Sequence, residues 1–360
     1  YWGLTEIGNV SAVGLCSTGT TVAPAVISLP VSDLADWEAY EGMLVNIPQP
    51  LYVTDNYNQG RYGEVTLSVN DRQYAPTNVA APGDPALALQ DLNDRSRIQL
   101  DDGSTFENPL PLPPYLGVDN TLRAGDTVGG LTGALSYAFG AYEIHPIGPV
   151  SFTRLNQRDP APEDVGGSLR VASFNVLNYF TTIDKGPDIC GPSGDMDCRG
   201  ADSVEEFVRQ RDKIISALWT LDADVVGLIE IENNDTSAVQ NLVDGLNDVM
   251  GLGTYSFVDT GTIGTDAIKV ALIYKTETVT PVGNHAILDS DVDERFIDTK
   301  NRPVLAQTFE QNEGHARFTV LVNHLKSKGS SCSDIGDPDL GDGQGNCNLT
   351  RRDAALALVD

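Results

Sequence analysis

The 360-residue sequence is acidic: 51 Asp and Glu residues stand against 23 Lys and Arg residues, giving a formal net charge of -28. This charge argues against sequence-independent electrostatic binding of nucleic acid by a basic surface. Clustered carboxylates can also bind divalent cations. No apolar run approaches the roughly 18 residues that cross a bilayer, so we expect no membrane span. The length favours two domains over one.

The first part of the chain has the pattern of a β-domain with hardly any helical periodicity. Short β-branched or alternating runs, separated by turn residues, predict strands at 43–47, 51–54, 64–67, 97–100 and 131–137. About five short strands favour a small closed or partly open barrel, for which an OB-fold is the natural candidate. We therefore predict an all-β, OB-like domain over residues 1–155, followed by a polar, Pro-rich linker at 156–167.

Residues 168–360 alternate apolar strands with amphipathic helices, the pattern of an α/β domain whose sheet is covered on both faces. The predicted strands are 171–177, 224–230, 268–274, 303–309 and 318–324. Ser203 and Glu206 form the pattern of a capping box at the start of the first helix. Two further helices are predicted at 236–250 and 351–359.

Four of the five cysteines bracket two loops. Cys190 with Cys198, and Cys332 with Cys347, have the spacing of loop-closing disulfides. Zinc is the alternative, but the short CxxC spacing that zinc sites use is not present. Disulfides predict an oxidising compartment, so we expect a secreted or cell-surface protein whose signal peptide has been removed. Cys16 is either a buried thiol or bonded to residues outside this sequence.

Polar residues follow three of the apolar strands. Asn175, Glu230 and the pair Asn323 and His324 each stand at a predicted strand end, where ligand sites of α/β folds gather. A carboxylate, an amide and an imidazole suit a hard cation and a phosphate. Each residue alone is more often structural: a turn Asn, a solvated Glu or a packed His. Four aspartates between 334 and 342 raise the alternative of a calcium loop, but a disulfide-pinned surface loop fits their spacing better.

Together the three segments resemble a known family. Residues 173–178 (SFNVLN), 227–233 (GLIEIEN) and 322–327 (VNHLKS) resemble, in this order, the opening motifs of the endonuclease/exonuclease/phosphatase superfamily. Residues 264–270 (GTDAIKV), 301–303 (NRP) and 341–347 (GDGQGNC) resemble the secreted bacterial nucleases of the ExeM or NucH type. Those nucleases also carry an OB-like domain upstream. The resemblance implies a four-layer α/β sandwich for residues 168–360.

The resemblance also implies roles for individual residues. Glu230 would bind the metal, with Asn175 near the metal and the scissile phosphate. His324 would contact the phosphate or protonate the leaving oxygen, and Arg302 would face the phosphate. The implied substrate-binding residues are Asp266, Lys269, Asn323 and Lys326. For Asp266 and Lys269, a polar loop with a solvated lysine is an equal alternative.

Two later motifs of the superfamily, a Gly-Asp-x-Asn strand end and a terminal Asp-His pair, do not follow His324 in this sequence. The Gly-rich stretch 342–346 has no apolar strand before it and does not replace them. We therefore expect that the C-terminal half of the second domain lies outside this chain, in the rest of the same polypeptide. Without it the chain should be inactive.

These patterns predict an extracellular, metal-dependent nuclease that cleaves phosphodiester bonds of DNA, with RNA as an alternative substrate. Mg²⁺ is the expected cofactor, with Ca²⁺ or Mn²⁺ as alternatives. A phosphomonoesterase or phospholipase of the same superfamily is a second hypothesis, because the motifs recognise only a phosphate ester. A third is a non-catalytic secreted protein that binds DNA or matrix.

Overall fold

The computed structural model describes residues 3–5, 8–116 and 122–360. The chain forms two compact units, one of Tyr1–Arg158 with Gly341–Gly343 and one of Asp159–Leu340 with Gln344–Asp360. The division expected from the sequence, at 155 and 167, stays a prediction. In the described part of the chain, no helix is long and apolar enough to span a membrane.

The first unit consists mainly of strands. Its strands are β1 (Ala25–Val26), β2 (Leu44–Asp55), β3 (Val65–Val69), β4 (Arg97–Leu100), β5 (Thr127–Ala138), β6 (Ala141–Pro146) and β7 (Phe152–Thr153). Its helices are α1 (Gln59–Tyr62), α2 (Asp84–Arg95) and the 3₁₀ turns Leu34–Tyr40, Pro76–Asn78 and Pro114–Leu116.

Five strands of this unit close into a barrel. Their order is β2-β3-β4-β6-β5, and β5 pairs back with β2. All neighbours are antiparallel except β4 and β6, which are parallel. Alternate residues of β2, including Val45, Ile47, Leu51 and Val53, are fully buried in the interior. The five-stranded closed barrel confirms the barrel that the strand pattern predicts.

Three details of the barrel unit differ from the sequence prediction. The runs 43–47 and 51–54 form one continuous strand, β2, whose pairing with β5 shifts between Ile47 and Pro50. Strand β6 and helix α2 were not predicted. Of the α2 residues only Ala86 is buried, so the helix has no apolar stripe that would show in the sequence.

The second unit alternates strands and helices. Its strands are β8 (Val171–Tyr179), β9 (Val225–Glu232), β10 (Tyr255–Phe257), β11 (Ile268–Lys275), β12 (Val279–Pro281), β13 (Ala286–Leu288), β14 (Arg302–Gln311) and β15 (Arg317–His324). Its helices are α3 (Val204–Leu221), α4 (Ser237–Met250), the 3₁₀ turn Ser333–Ile335 and α5 (Asn348–Val359). One sheet has the order β10-β11-β9-β8; in the other, β12, β13 and β15 all pair with β14.

The second unit is layered as helices, sheet, sheet and helix. Helices α3 and α4 pack on the first sheet, with Leu218 and Leu242 buried against Leu228 of β9. A second apolar cluster that includes Leu272 of β11 and Phe309 of β14 fills the space between the sheets. Helix α5 covers the second sheet with Ala354 and Ala357. The strands therefore form two facing sheets. The outer face of the first sheet is covered by α3 and α4, and that of the second by α5.

The start of α3 follows the sequence prediction only in part. The Ser203 hydroxyl accepts a hydrogen bond from the backbone N of Glu206 at 3.3 Å, as an N-cap residue does. The Glu206 carboxylate, however, accepts from the backbone N of Asp202 at 3.2 Å, one residue before the cap. The predicted reciprocal capping box is therefore wrong, and the carboxylate satisfies the preceding amide instead.

Both predicted disulfides are confirmed. Cys190 is bonded to Cys198 and Cys332 to Cys347. Cys16 is free and exposed, so the buried-thiol alternative is wrong.

The aspartates between the second pair of cysteines have separate structural partners. The Asp334 carboxylate pairs with the Lys300 ammonium at 2.7 Å. The Asp337 carboxylate accepts from the backbone N of Thr350 at 2.7 Å and so caps the first turn of α5.

Removing the second disulfide should destabilise the second unit. The bond closes a loop with a sequence separation of 15. For a loop of this length, Cys332→Ala with Cys347→Ala should lower the free energy of unfolding by about 3 kcal/mol. Urea denaturation of the oxidised protein measures this change, and Cys16→Ser is the control because that thiol is free. Equal midpoints for the double variant and the parent would contradict the expectation.

Candidate functional site

The predicted site residues of the first sheet lie where regular strand pairing is interrupted. Asn175 of β8 pairs with Ile229 of β9, but the next pair is Tyr179 with Ile231. Three residues of β8 therefore lie opposite one residue of β9, which is Glu230. Two of the three, Leu177 and Asn178, have left-handed backbones with a φ of 51°. The ladder is thus distorted at the strand end that carries the predicted site.

Glu230 itself lies in a bulge. On the other side of β9 lies β11, where Ala271 pairs with Leu228 and Lys269 pairs with Ile231. Between these two pairs, two residues of β9 lie opposite one residue of β11. The φ of Glu230 is 66°, which costs a residue other than Gly about 1–3 kcal/mol. A bulge changes the direction of a side chain relative to regular alternation. Here it directs the Glu230 carboxylate toward the other sheet.

Glu230 and His324 meet across the two sheets. Oε1 of Glu230 lies 3.6 Å from Nε2 of His324, and each side chain is 18% exposed. This separation is too long for a hydrogen bond, although it allows electrostatic interaction. Nδ1 of His324 is buried and makes no hydrogen bond to any residue that the structure describes. The imidazole therefore retains unused hydrogen-bonding capacity.

Arg302 pairs with His324 across β14 and β15, and the pairing shifts directly after it. Nη2 of Arg302 lies 2.7 Å from Oδ2 of Asp266. Nη2 of Arg199 lies 3.0 Å from the other oxygen, Oδ1, without hydrogen-bond geometry. Nε of Arg302 is buried and has no hydrogen-bond partner within the described ranges. Asp266 thus orients two guanidinium groups, of which Arg199 was not predicted.

The surroundings set the charge of His324 and Lys326. Burial lowers the pKa of His324, and the positive charge of Arg302 lowers it further, whereas Glu230 and Asp266 act in the opposite direction. Burial, Arg302 and Lys300 likewise lower the pKa of Lys326. The imidazole is therefore held in its neutral form at pH 7, beside several cationic groups.

Two buried residues after Glu230 hold the loops around the site. Oε2 of Glu232 accepts from the backbone N of Thr181 at 2.7 Å, which fixes the chain after β8. Nδ2 of Asn233 donates to the carbonyls of Ile263 at 2.7 Å and Asp266 at 3.0 Å. Sequence reasoning gave these two residues no role, although polar residues directly after a buried strand were the available signal.

Two further amides tie helix and strand ends to the site. Nε2 of Gln210 on α3 donates to the carbonyl of Leu177 at 2.7 Å, which supports the distorted end of β8. Oδ1 of the buried Asn301 accepts from the backbone N of Lys326 at 2.9 Å and so joins the start of β14 to the end of β15. Neither role was predicted, because both depend on contacts distant in sequence.

The remaining predicted residues lie around this group. The Asn175 side chain is exposed, and its Oδ1 accepts from the backbone N of Leu177 at 2.7 Å. Asn323 is exposed. Lys269 is buried and donates to the carbonyls of Asp235, at 2.7 Å, and Gly261. Its burial lowers its pKa to about 8. The catalytic and substrate-binding roles of these residues stay predictions.

Two family models match the chain. Residues 170–335 match the Endonuclease/Exonuclease/phosphatase family. The chain therefore carries an endonuclease/exonuclease/phosphatase domain. This match confirms the superfamily that the three motifs resemble. Residues 30–154 match a domain of unknown function (DUF8508). No curated protein sequence matches the chain.

Several solved structures are similar to part of this chain. A humanised TDP2 of D. rerio has 16% identity and a TM-score of 0.28, covering 44% of this chain and 51% of the TDP2 chain. The human Nocturnin catalytic domain has 20% identity and a TM-score of 0.27, covering 45% and 52%. A family protein from Bacteroides thetaiotaomicron has 18% identity and a TM-score of 0.28, covering 42% and 49%. This chain spans about half the length of each.

The titration of His324 tests the electrostatics of the site. In metal-free protein, Arg302→Gln should raise the pKa of His324, because it removes a nearby positive charge. Glu230→Gln should lower it further, because it removes a negative charge. NMR of the imidazole signals measures both shifts, and His145 of the first unit is the internal control. An unchanged His324 titration in both variants would contradict the arrangement.

Proposed function

We propose that this chain is part of an extracellular, metal-dependent nuclease of the ExeM or NucH type that hydrolyses phosphodiester bonds of DNA. The observation that carries the proposal is the meeting of Glu230 and His324 at 3.6 Å, beside Arg302, whose Nε has no hydrogen-bond partner among the described residues. A carboxylate can bind a cation, and a neutral imidazole and a guanidinium can donate hydrogen bonds to the phosphate during phosphodiester hydrolysis.

The chemistry of Glu230 fits a magnesium ion. Mg²⁺ in phosphate-processing sites is usually bound by one or two carboxylates, with water and substrate oxygens as its other ligands. Glu230 offers one part-buried carboxylate, which the strained bulge directs into the site. When bound, the ion would neutralise phosphate charge and lower the pKa of a water. Ca²⁺ and Mn²⁺ are the alternatives to be compared with Mg²⁺.

Arg302 and His324 act on the phosphate in this mechanism. The contact of Nη2 with Asp266 holds the guanidinium, which leaves Nε to donate to a phosphate oxygen. Burial and Arg302 keep the His324 ring neutral, so it carries one N–H. We assign that proton to Nε2, the nitrogen that faces Glu230, and propose that this N–H donates a hydrogen bond to a phosphate oxygen, where it stabilises the charge that develops during hydrolysis.

A local cluster of positive charge supports a polyanionic substrate. Beside Leu177 lies a cavity of about 410 Å³, whose lining includes Arg199, Arg209 and Lys213. Arg209 and Lys213 are exposed and four residues apart on α3, so they share one face of the helix. In a chain with a net charge of -28, such a groove favours an extended phosphate backbone over a small phosphomonoester.

Open sheet edges support a contribution from further chain. Strand β8 ends the first sheet and β15 ends the second, and both strands carry site residues. Val171 on β8 is 53% exposed and Leu321 on β15 is 45% exposed. We propose that the rest of the same polypeptide pairs with these edges and supplies the remaining catalytic groups. This sequence alone is then inactive.

The barrel supports the OB-like assignment of the first unit. Strands β2, β3 and β4 are successive neighbours, and β5 returns to lie beside β2, which is the order of a Greek key. The OB-fold is a five-stranded Greek-key barrel.

The two disulfides support a location outside the bacterial cytoplasm, because such bonds persist in oxidising compartments.

Cleavage assays test the proposed activity. The longest natural form of the protein should cut plasmid DNA with Mg²⁺ and not with EDTA. His324→Ala should lower kcat by about 10²–10³-fold, because it removes a hydrogen-bond donor to the phosphate. His315→Ala is the matched control, since His315 is exposed and paired with Glu310. If the intact protein cuts neither DNA nor RNA, the nuclease proposal fails, and phosphomonoesters, phospholipids and plain DNA binding are tested in turn.

The salt dependence of DNA binding tests the groove on α3. In a Glu230→Gln background, which prevents cleavage, Arg209→Gln with Lys213→Gln should weaken binding and reduce the slope of log K against log salt by about 2. Arg352→Gln on α5 is the matched control. Fluorescence anisotropy at several salt concentrations gives the slope, and an unchanged slope would show that phosphates bind elsewhere.

A further inference from the structure

The barrel unit contains a separate group of metal-ligating side chains. Asp101 directly follows β4, and Glu143 and His145 lie two residues apart on β6. Strands β4 and β6 are parallel neighbours, with Gln99 opposite Glu143. Because alternate residues of a strand share one face, Asp101, Glu143 and His145 point to the same side of the sheet. One ligand atom from each residue lies within 4.8 Å of those from the other two.

The three side chains are in contact. Nε2 of His145 lies 2.8 Å from Oε1 of Glu143 and 3.6 Å from Oδ2 of Asp101. The two carboxylates are each only 7% exposed, and the imidazole is 30% exposed. Two carboxylates are therefore buried beside one imidazole, a combination that requires compensating positive charge.

Asp101 has an unused ligand atom. Its Oδ2 accepts from the backbone N of Gly103 at 2.7 Å, but Oδ1 is buried and makes no hydrogen bond to the described part of the chain. A protonated His145 that bridges the carboxylates would leave this oxygen without a partner, so a simple ion pair does not account for it.

The group opens onto a cavity of about 690 Å³. Glu64 and Glu107 also line this cavity, and only Glu107 is paired with an arginine, Arg61 at 2.8 Å, so the described lining carries a negative charge that attracts cations. Gly103 leaves room for the imidazole: its φ is 75°, and a Cβ there would lie 3.1 Å from Nδ1 of His145. A residue larger than Gly at 103 would therefore strain the backbone and crowd the ring.

We propose that Asp101, Glu143 and His145 bind a divalent transition-metal ion of the Zn²⁺ or Mn²⁺ type. Two carboxylate oxygens and one imidazole nitrogen are a ligand set typical of these ions, and cavity water completes the coordination. The metal replaces the proton on Nε2 and bonds Oδ1, which satisfies the buried carboxylates. Because β4 and β6 form the parallel pair of the barrel, the ion links these two strands.

Zinc titration of the full chain tests the site. The Glu230→Gln variant removes the candidate metal ligand of the second unit, so calorimetry should report one remaining Zn²⁺ site in chelator-treated protein. Asp101→Asn and His145→Gln should each weaken that binding at least about tenfold. Asp102→Asn is the matched control, because the Asp102 carboxylate is next to Asp101 in the sequence but is not in the group. Equal binding by all these variants would overturn the proposal in favour of a structural ion pair.

A second measurement needs no substitution in the group. Hydrogen exchange of the parent chain, with Zn²⁺ and then with EDTA, should show metal-dependent protection at residues 97–103 and 141–146. Exchange at these segments that does not respond to Zn²⁺ or Mn²⁺ would overturn the proposal, even if a variant fails to fold. The nuclease assignment does not enter this test, since the segments belong to the barrel unit.

Discussion

The candidate site depends on interrupted strand pairing at one edge of the two sheets. Pairing shifts between β8 and β9 after Asn175, between β9 and β11 at Glu230, and between β14 and β15 after Arg302. Uninterrupted strands would keep strict alternation of side chains between the two faces. At the bulges the Glu230 side chain departs from this alternation, and its backbone adopts a strained left-handed conformation. Apolar packing on both sides of the first sheet, with the hydrogen bond from Gln210, holds the distortion in place.

Local charge differs from the charge of the whole chain. The net charge of -28 suggests repulsion of any polyanion. At the site, however, one carboxylate, Asp266, contacts both Arg199 and Arg302. Since one negative charge faces two positive ones, the pair of guanidinium groups keeps a surplus of positive charge. Burial is the main cause of the lowered pKa values of His324 and Lys326, and the positive charge of Arg302 lowers both further. Positive charge is therefore concentrated at one place in an otherwise acidic chain.

The apolar strands and amphipathic helices of the second unit were predictable from the sequence because their periodicity follows their burial. Helix α2 was not, since its single buried residue, Ala86, leaves no periodic signal. The strand ends also predicted that Glu230 and His324 converge. The bulge at Glu230 could not be predicted, because it depends on register with β8 and β11. Arg199 was equally hidden, since its contact with Asp266 joins residues from distant parts of the chain.

Histidine and glutamate are used in opposite ways in the two units. At the candidate site burial and Arg302 outweigh Glu230, so the pKa of His324 is lowered and the ring stays neutral. In the barrel, the hydrogen bond that His145 donates to Glu143 raises the pKa of His145. A neutral imidazole beside cations can donate a hydrogen bond to an anionic group. An imidazole between two buried carboxylates lies in negative charge, which stabilises a cation. The neighbouring charges, rather than the residue types, therefore set the opposite pKa shifts of the two imidazoles.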